Sequence, residues 1–462
     1  MADDGQIRLD LANLMVSVSG MRGRVGEGLT PEVVAAFAAA FGAYARRRGP
    51  GKTVVLGRDS RVSGPMFARA ATAALQSAGC DVVDVGLAPT PSVQLAVEDL
   101  GAAGGLAVTA SHNPIEWNAL KFIGPSGMFL DGDEAVEMRG FLHDAPRAGW
   151  KDLGQWREDA GAVERHLERI FRIPFLDVEL IRSKRFPVAL DCVRGAGGTI
   201  FPRLLEALGC RVEAINLETD GLFPRKPEPV AENLGELEEL VRRTGAVVGL
   251  ATDPDVDRLS LVSDEGRAIG EDYTLALAAT LVLRHRPGAL VTNLSTSRLL
   301  DDVAERAGVP LFRAPVGEIN VARRMQKEGA TVGGEGNGGV ILPDVHLTRD
   351  APVAAALVLQ LLAETGRPLS RLAAEIGRYE IVKEALPRPG QPLDAVYDAL
   401  AARFPEAEAD RQDGLRLSWP ARRAWAHLRP SGTEPIVRII CEAPSREEAV
   451  GLVETLRAAL PG

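Results

Sequence analysis

Apolar and polar positions follow an order along the chain that occurs three times. An apolar run at residues 53–57 is followed by a polar loop (58–63), a helix over about 65–78, the pair Gly79-Cys80, and a second apolar run at 81–85. The same order returns as the run 188–191, the Gly-rich loop 194–198, a helix through Leu208, Gly209-Cys210 and the run 211–215. A third copy comprises 289–293, the loop 295–297, a helix through Ala307, Gly308 and the run 309–312. Strand, helix and strand at this spacing are βαβ units, and right-handed crossovers fold such units into mostly parallel sheets. Thr30-Pro31 predicts a helix start, with an Ala-rich helix running to about Arg48.

The expected fold is therefore α/β: three similar mixed α/β domains built on βαβ units, plus a smaller C-terminal α+β domain. A single large doubly wound sheet would account for the same strands but not for the Gly-Cys echoes. The expected boundaries are 1–152, 153–266, 267–370 and 371–462. Residues 142–158 read as a linker with the start of a charged helix, and Gly366-Arg367-Pro368 punctuates the end of an apolar helix. The tail reads as shorter helices and a strand pair.

Length agrees with several units, since 462 residues exceed one typical core. The formal net charge of -10 argues against general nucleic-acid or anionic-membrane binding, while local basic loops remain able to hold phosphate. Four cysteines lack any CxxC spacing, so zinc and redox chemistry are not indicated, and Cys80 and Cys210 read as small buried hydrophobes. No basic region followed by an apolar core is visible at the N-terminus, and the apolar stretches 275–283 and 354–362 are too short to span a bilayer. A cytoplasmic location is expected.

Three stretches carry candidate chemistry. Thr109-Ala110-Ser111-His112-Asn113-Pro114 follows an apolar run, so a Ser at a strand-to-turn junction is displayed beside a His, with Pro forbidding a helix. An ordinary Asn-Pro turn is the bland alternative. Asp253-Pro254-Asp255-Val256-Asp257-Arg258 has three alternating carboxylates, which an extended backbone would point to one side, flanked by apolar runs. Three hard oxygen ligands with open positions suit Mg²⁺, whereas an EF-hand would need longer spacing and a late Glu. Arg429-Pro430-Ser431-Gly432-Thr433-Glu434-Pro435 offers hydroxyls, a Gly turn and a guanidinium, the makings of an anion nest, with Arg438 close behind. A fourth stretch, Ser17 through Gly26, is a Gly-punctuated loop bearing Arg22 and Arg24.

Taken in this order, the motifs resemble those of the α-D-phosphohexomutase family, which interconverts hexose 1-phosphates and 6-phosphates, and the resemblance covers nearly the whole chain. It implies that Ser111 carries the phosphoryl group, that Asp253, Asp255 and Asp257 hold Mg²⁺ with a Ser111 phosphate oxygen as a further ligand, and that Arg22 reaches the active-site phosphate. His112 and Lys121 are then the candidates for proton handling, and Arg258 adjoins the cage where it would steady the transferring phosphate. Ala119 stands where the family has Gly ahead of the Lys121 position.

The stretch Gly334-Glu335-Gly336-Asn337-Gly338-Gly339 resembles the family's sugar loop, Gly-Glu-x-Ser-Gly-His, with Glu335 at the position that accepts sugar hydroxyls. Asn337 and Gly339 depart from that pattern in the manner of the archaeal-type branch, so the choice of sugar is the least determined expectation. Glu318, in a second loop, would meet a hexosamine ammonium or a hydroxyl. Arg429, Ser431, Gly432, Thr433 and Arg438 would clamp the phosphate that is not reacting. The implied reaction passes through a hexose or hexosamine 1,6-bisphosphate, which also serves as activator. Glucosamine phosphate is the favoured substrate, with phosphomannomutase or phosphoglucomutase activity as the alternative. A binding protein that has lost catalysis and a phosphatase are rivals from other classes. The partners expected are a small phosphosugar, no nucleic acid, no membrane, and at most a second copy of the chain, as monomer or homodimer.

Overall fold

The computed structural model describes residues 11, 13–18, 20–388, 390–430 and 436–460. Each predicted strand, helix, strand unit is present, and each is extended to the same four-stranded arrangement. In the first, Thr53–Arg58 lies between Asp81–Leu87 and Gly104–Val108, parallel to both, and Trp117–Ile123 then returns antiparallel beside Gly104–Val108. In the second, Pro187–Asp191 lies between Arg211–Ile215 and Val248–Thr252, with Leu259–Ser263 returning antiparallel. In the third, Leu290–Asn293 lies between Leu311–Ala314 and Val332–Glu335, with Gly339–Ile341 returning antiparallel. The connection between the third and fourth strands of every unit is thus a hairpin at the C-terminal end of a buried parallel strand, where open α/β sheets place their ligands.

The first sheet grows to seven strands. Gly20–Arg24 and Met15–Val16 add to one edge, and Trp156–Glu158 adds parallel to Asp81–Leu87 at the other. The end of the segment read as a linker and helix start is therefore an edge strand; the charged helix, Ala162–Phe171, begins later. The tail holds more than a strand pair: an antiparallel five-stranded sheet in the order Glu380–Pro387, Ile436–Ala443, Ala424–Pro430, Leu415–Trp419, Glu408–Asp410, backed by Leu393–Arg403 and Arg446–Ala459. Leu369–Ile376, placed by sequence on either side of a boundary at 370, is one helix whose Leu369, Leu372 and Ile376 pack into the core of the second and third units.

That core is centred on the apolar stretches already noted. They lie in Asp272–His285 and Ala351–Thr365, helices buried on nearly every face because both are packed within the molecule. Ala351–Thr365 starts where Asp350 caps it, accepting from the Val353 amide at 2.9 Å. Among the described residues no helix is long and apolar enough to cross a membrane. The first unit has its own core, in which Phe37, Phe41 and Phe122 stack, and the tail has a third around Trp419, Leu428 and Ile439. Fully burying each such side chain contributes about 1.5–3 kcal/mol.

Candidate active site

Ser111 sits in the first unit's hairpin with a left-handed backbone, φ 48. A non-glycine residue there is strained, so neighbouring groups must hold the turn. Arg61, fully buried, does so. Its guanidinium donates to the backbone carbonyls of Ser111 at 2.7 Å, Asn113 at 2.6 Å, Pro114 at 2.7 Å and Trp117 at 2.8 Å. Asp59 neutralises it at 3.1 Å and accepts from Thr109 Oγ1 at 2.6 Å, and Thr109 Oγ1 in turn accepts the Ser111 amide at 3.0 Å. Asp59 and Arg61 lie in what reads from sequence as a plain connecting loop, with no local spacing to single them out.

The second unit's hairpin brings in the carboxylates. Asp253, Asp255 and Asp257 are all buried, and one oxygen from each lies within 4.8 Å of the others. An extended backbone is not what gathers them: Val248–Thr252 has ended, residues 253–257 coil into a turn, and Val256 takes φ 68. Ser111 Oγ donates to Asp253 Oδ2 at 2.7 Å. Asp255 Oδ2 accepts from Lys121 Nζ at 2.6 Å and Thr90 Oγ1 at 2.9 Å, and Asp257 Oδ2 accepts from Arg349 Nη2 at 2.6 Å and Lys121 Nζ at 3.3 Å.

Burial, followed by the charges of Asp257 and Asp255, pushes the Asp253 carboxyl well above the usual range. Burial pushes Asp255 the same way, but the Lys121 ammonium and the hydrogen bonds it receives outweigh that and hold it below. Lys121 is the mirror case: burial opposes its charge, and Asp255 with Asp257 restores it above the ordinary value, so it stands as an ammonium. Asp255 Oδ1 and Asp257 Oδ1 remain buried without a hydrogen-bond partner among the described residues, Asp257 Oδ1 having the Arg258 Nε at 3.8 Å as a longer ion-pair contact. Such orphaned anionic oxygens are costly unless a cation meets them, and a hard divalent ion fits this donor set.

His112 Nδ1 is 3.4 Å from Ser111 Oγ. The Arg258 charge first, then burial, with Arg22 and Arg349 adding, push the imidazole down to about 2, so it is neutral around pH 7. Arg22, on Gly20–Arg24, donates to Asn113 Oδ1 at 3.1 Å, and burial with the charges of Arg438 and Arg258 lowers its pKa. The Arg258 amide donates to Asp253 Oδ1 at 3.2 Å and its guanidinium to Glu228 at 3.3 Å.

The third unit's hairpin carries Glu335, at the end of Val332–Glu335, and Asn337, in the turn. The strand expected over 330–332 begins instead at Val332 and runs on to carry Glu335 itself. Glu335 accepts from Asn293 Nδ2 at 2.8 Å, the Gly317 amide at 3.0 Å and Arg349 Nη1 at 3.0 Å. Glu318 opens the helix Glu318–Glu328 and accepts from Arg349 Nε at 2.9 Å. Arg349 is the second group missed in the sequence, since it stands alone between Thr348 and Asp350. Arg429 is the last residue but one of Ala424–Pro430, opposite Arg438 on the neighbouring strand, with its Nε 3.3 Å from Asp413. Ser431, Gly432 and Thr433 lie outside the described residues.

These groups meet at one cleft of about 940 Å³, lined by Arg22, Ser111, His112, Lys121, Arg258, Glu318, Glu335, Asn337, Arg349 and Arg429. All four units contribute. A hydroxyl inside a carboxylate cage, at the floor of a cleft rich in arginine, has the parts of a phosphoryl-transfer site, where charge neutralisation and positioning do most of the catalysis.

Comparison with known proteins agrees. Family models for phosphoglucomutase/phosphomannomutase match in four consecutive stretches: alpha/beta/alpha domain I over 14–144, domain II over 164–266, domain III over 270–379 and the C-terminal domain over 382–459. A phosphoglucomutase/phosphomannomutase of Thermococcus kodakarensis is 41% identical over 438 residues, covering 93% of this chain and 94% of its own. A Methanopyrus kandleri protein named probable phosphoglucosamine mutase is 38% identical, again covering 93% and 94%. The crystal structure of a phosphoglucomutase/phosphomannomutase family protein from Burkholderia thailandensis superposes with a TM-score of 0.82 at 28% identity, covering 96% of this chain and 98% of that one. The chain belongs to the phosphoglucomutase/phosphomannomutase family, the α-D-phosphohexomutases. It is an isomerase that moves a phosphoryl group within a phosphosugar.

Proposed function

We propose that this mutase works through phospho-Ser111 and prefers glucosamine phosphate, converting the 6-phosphate and the 1-phosphate into one another. The observation that carries the Ser111 assignment is its 2.7 Å hydrogen bond to Asp253 inside the carboxylate cage. In the first step a sugar hydroxyl oxygen attacks phosphorus and the bond from phosphorus to Ser111 Oγ breaks, giving the sugar 1,6-bisphosphate. The bisphosphate turns round, and Ser111 Oγ then takes the other phosphoryl group. His112 is assigned the attacking hydroxyl's proton and the Lys121 ammonium the proton returned to Ser111 Oγ; the arginine charges that make the imidazole a weak base are offset once a phosphoryl dianion sits among them. Mg²⁺ held by Asp253, Asp255, Asp257 and Ser111 would withdraw charge from the phosphoryl oxygens.

Arg22 and Arg258 flank the reacting phosphate, and Arg429 and Arg438, with Ser431, Gly432 and Thr433, are assigned the distal one. Glu335 and Glu318 are assigned the sugar. Their two carboxylates favour a hexosamine ammonium over a plain hydroxyl. The phosphoglucomutase/phosphomannomutase name of the Thermococcus relative keeps mannose and glucose phosphates as the second reading. A panel of glucosamine 6-phosphate, mannose 1-phosphate and glucose 1-phosphate, with Mg²⁺ and a trace of hexose 1,6-bisphosphate, tests the preference. Highest kcat/KM on the glucosamine substrate is expected; much higher efficiency on mannose or glucose phosphate overturns it.

A further inference from the structure

Three carboxylates converge on one buried guanidinium. Arg349 donates through Nε to Glu318 at 2.9 Å, through Nη1 to Glu335 at 3.0 Å and through Nη2 to Asp257 at 2.6 Å. The first two are the carboxylates assigned to the sugar, and the third belongs to the cage that receives Ser111. A planar fork with five donors in fixed directions holds acceptors on three elements at set angles, which the compact, freely rotating donors of an ammonium do not. The backbone bearing the fork is fixed from behind, where Asp350 caps Ala351–Thr365 and accepts from His166 Nε2 at 2.7 Å and His346 Nε2 at 2.8 Å.

Gly339 explains how the fork gets there. A Cβ at position 339 would lie 2.2 Å from Arg349 Cδ and 2.8 Å from Cγ, so the arginine's stem runs through the space a side chain would fill. Gly339 is one of the two departures from the sugar-loop pattern of the family, and the structure ties it to a cation entering from another segment.

We propose that Arg349 is a positioning residue that uses the space left by Gly339 to hold the sugar-reading carboxylates Glu318 and Glu335 in register with the metal cage through Asp257. It rests on the reading of the cage and sugar loop given above. Because the guanidinium, on Asp257 Oδ2, offsets the negative charge that draws a divalent cation into the cage while it aims Glu318 and Glu335, its loss has opposite effects on cation and sugar.

The test uses the full-length enzyme, with Mn²⁺ alone titrated by electron paramagnetic resonance and glucosamine 6-phosphate in steady-state kinetics. Arg349→Met is expected to bind Mn²⁺ at least threefold more tightly than wild type while KM for the sugar rises at least tenfold. Arg349→Lys, which keeps the charge but not the fork, is expected to raise KM similarly and leave Mn²⁺ affinity within twofold. Gly339→Ala, which displaces the stem, is expected to raise KM at least fivefold, and it carries the decision if Arg349→Met does not fold. Unchanged KM in Gly339→Ala or Arg349→Met, or Mn²⁺ affinity that stays the same or falls in Arg349→Met, overturns the proposal. Failure of wild type to bind Mn²⁺ or to turn over any hexose phosphate would instead strike the reading of the site itself, and the proposal with it.

Discussion

Ser111 is held at φ 48 by a guanidinium fifty residues earlier in the chain, at Arg61, and that dependence can be measured. Arg61→Met leaves Asp59 buried without its partner and the turn carbonyls without donors, so a loss of about 3–5 kcal/mol in urea unfolding is expected. Replacing both, Asp59→Asn with Arg61→Met, should cost less than the sum, because the uncompensated charge is gone. Ser111 and the three aspartates were legible in the sequence because each sits in a short motif whose residue types carry their own chemistry. Arg61 and Arg349 were not, since their partners lie far along the chain and no local pattern marks them. The geometry of the aspartates was also misread: alternation suggested a strand, whereas a turn with Val256 at φ 68 gathers them.

At the scale of elements, the three hairpins between third and fourth strands carry Ser111, the aspartates and Asn337, each with a left-handed residue at Ser111, Val256 or Gly338. The βαβ repeats were legible from apolar runs and Gly-Cys echoes, but the returning antiparallel strands were not, because sequence pattern does not say which neighbour a strand pairs with. Segments also meet through buried histidines. His427 donates from Nε2 to the Asp413 carbonyl at 2.6 Å and accepts from Ser295 Oγ at 2.8 Å, and burial pushes it down to about 4. Burial lowers His346 as well. Both bind protons less readily in the fold than in the unfolded chain, so stability is full above about 6.5 and declines as pH falls below it. For His427 this amounts to about 2 kcal/mol between pH 7.5 and 5. The urea midpoint should therefore be lower at pH 5 than at pH 7.5, and His427→Gln should flatten the difference; a midpoint that rises on acidification contradicts the assignment.

For the whole molecule, the cleft gains its Arg429 wall because the tail is docked on the third unit. Asp413 Oδ2 accepts the Val316 amide at 3.1 Å, in the loop that leads into Glu318, and Glu442 Oε1 accepts the Arg298 amide at 2.8 Å. Asp413→Ala removes a charge-assisted hydrogen bond that ties the surroundings of Arg429 to the loop before Glu318, so kcat/KM should fall about tenfold, mostly through KM. A fall confined to kcat would mean that the contact acts on chemistry rather than on binding. Four units were expected from length and repetition, yet their convergence on one cleft rested on resemblance alone. Convergence depends on contacts between domains that no single segment encodes.

The most direct test of phosphoryl transfer through Ser111 is a single turnover of enzyme phosphorylated at Ser111 with glucosamine 6-phosphate, following the label from protein to sugar. The expected result is loss of phosphate from Ser111 matched by sugar 1,6-bisphosphate and then glucosamine 1-phosphate, with Ser111→Ala unable to turn over. Label appearing as inorganic phosphate in excess of isomerised product, or full turnover by Ser111→Ala, would contradict it.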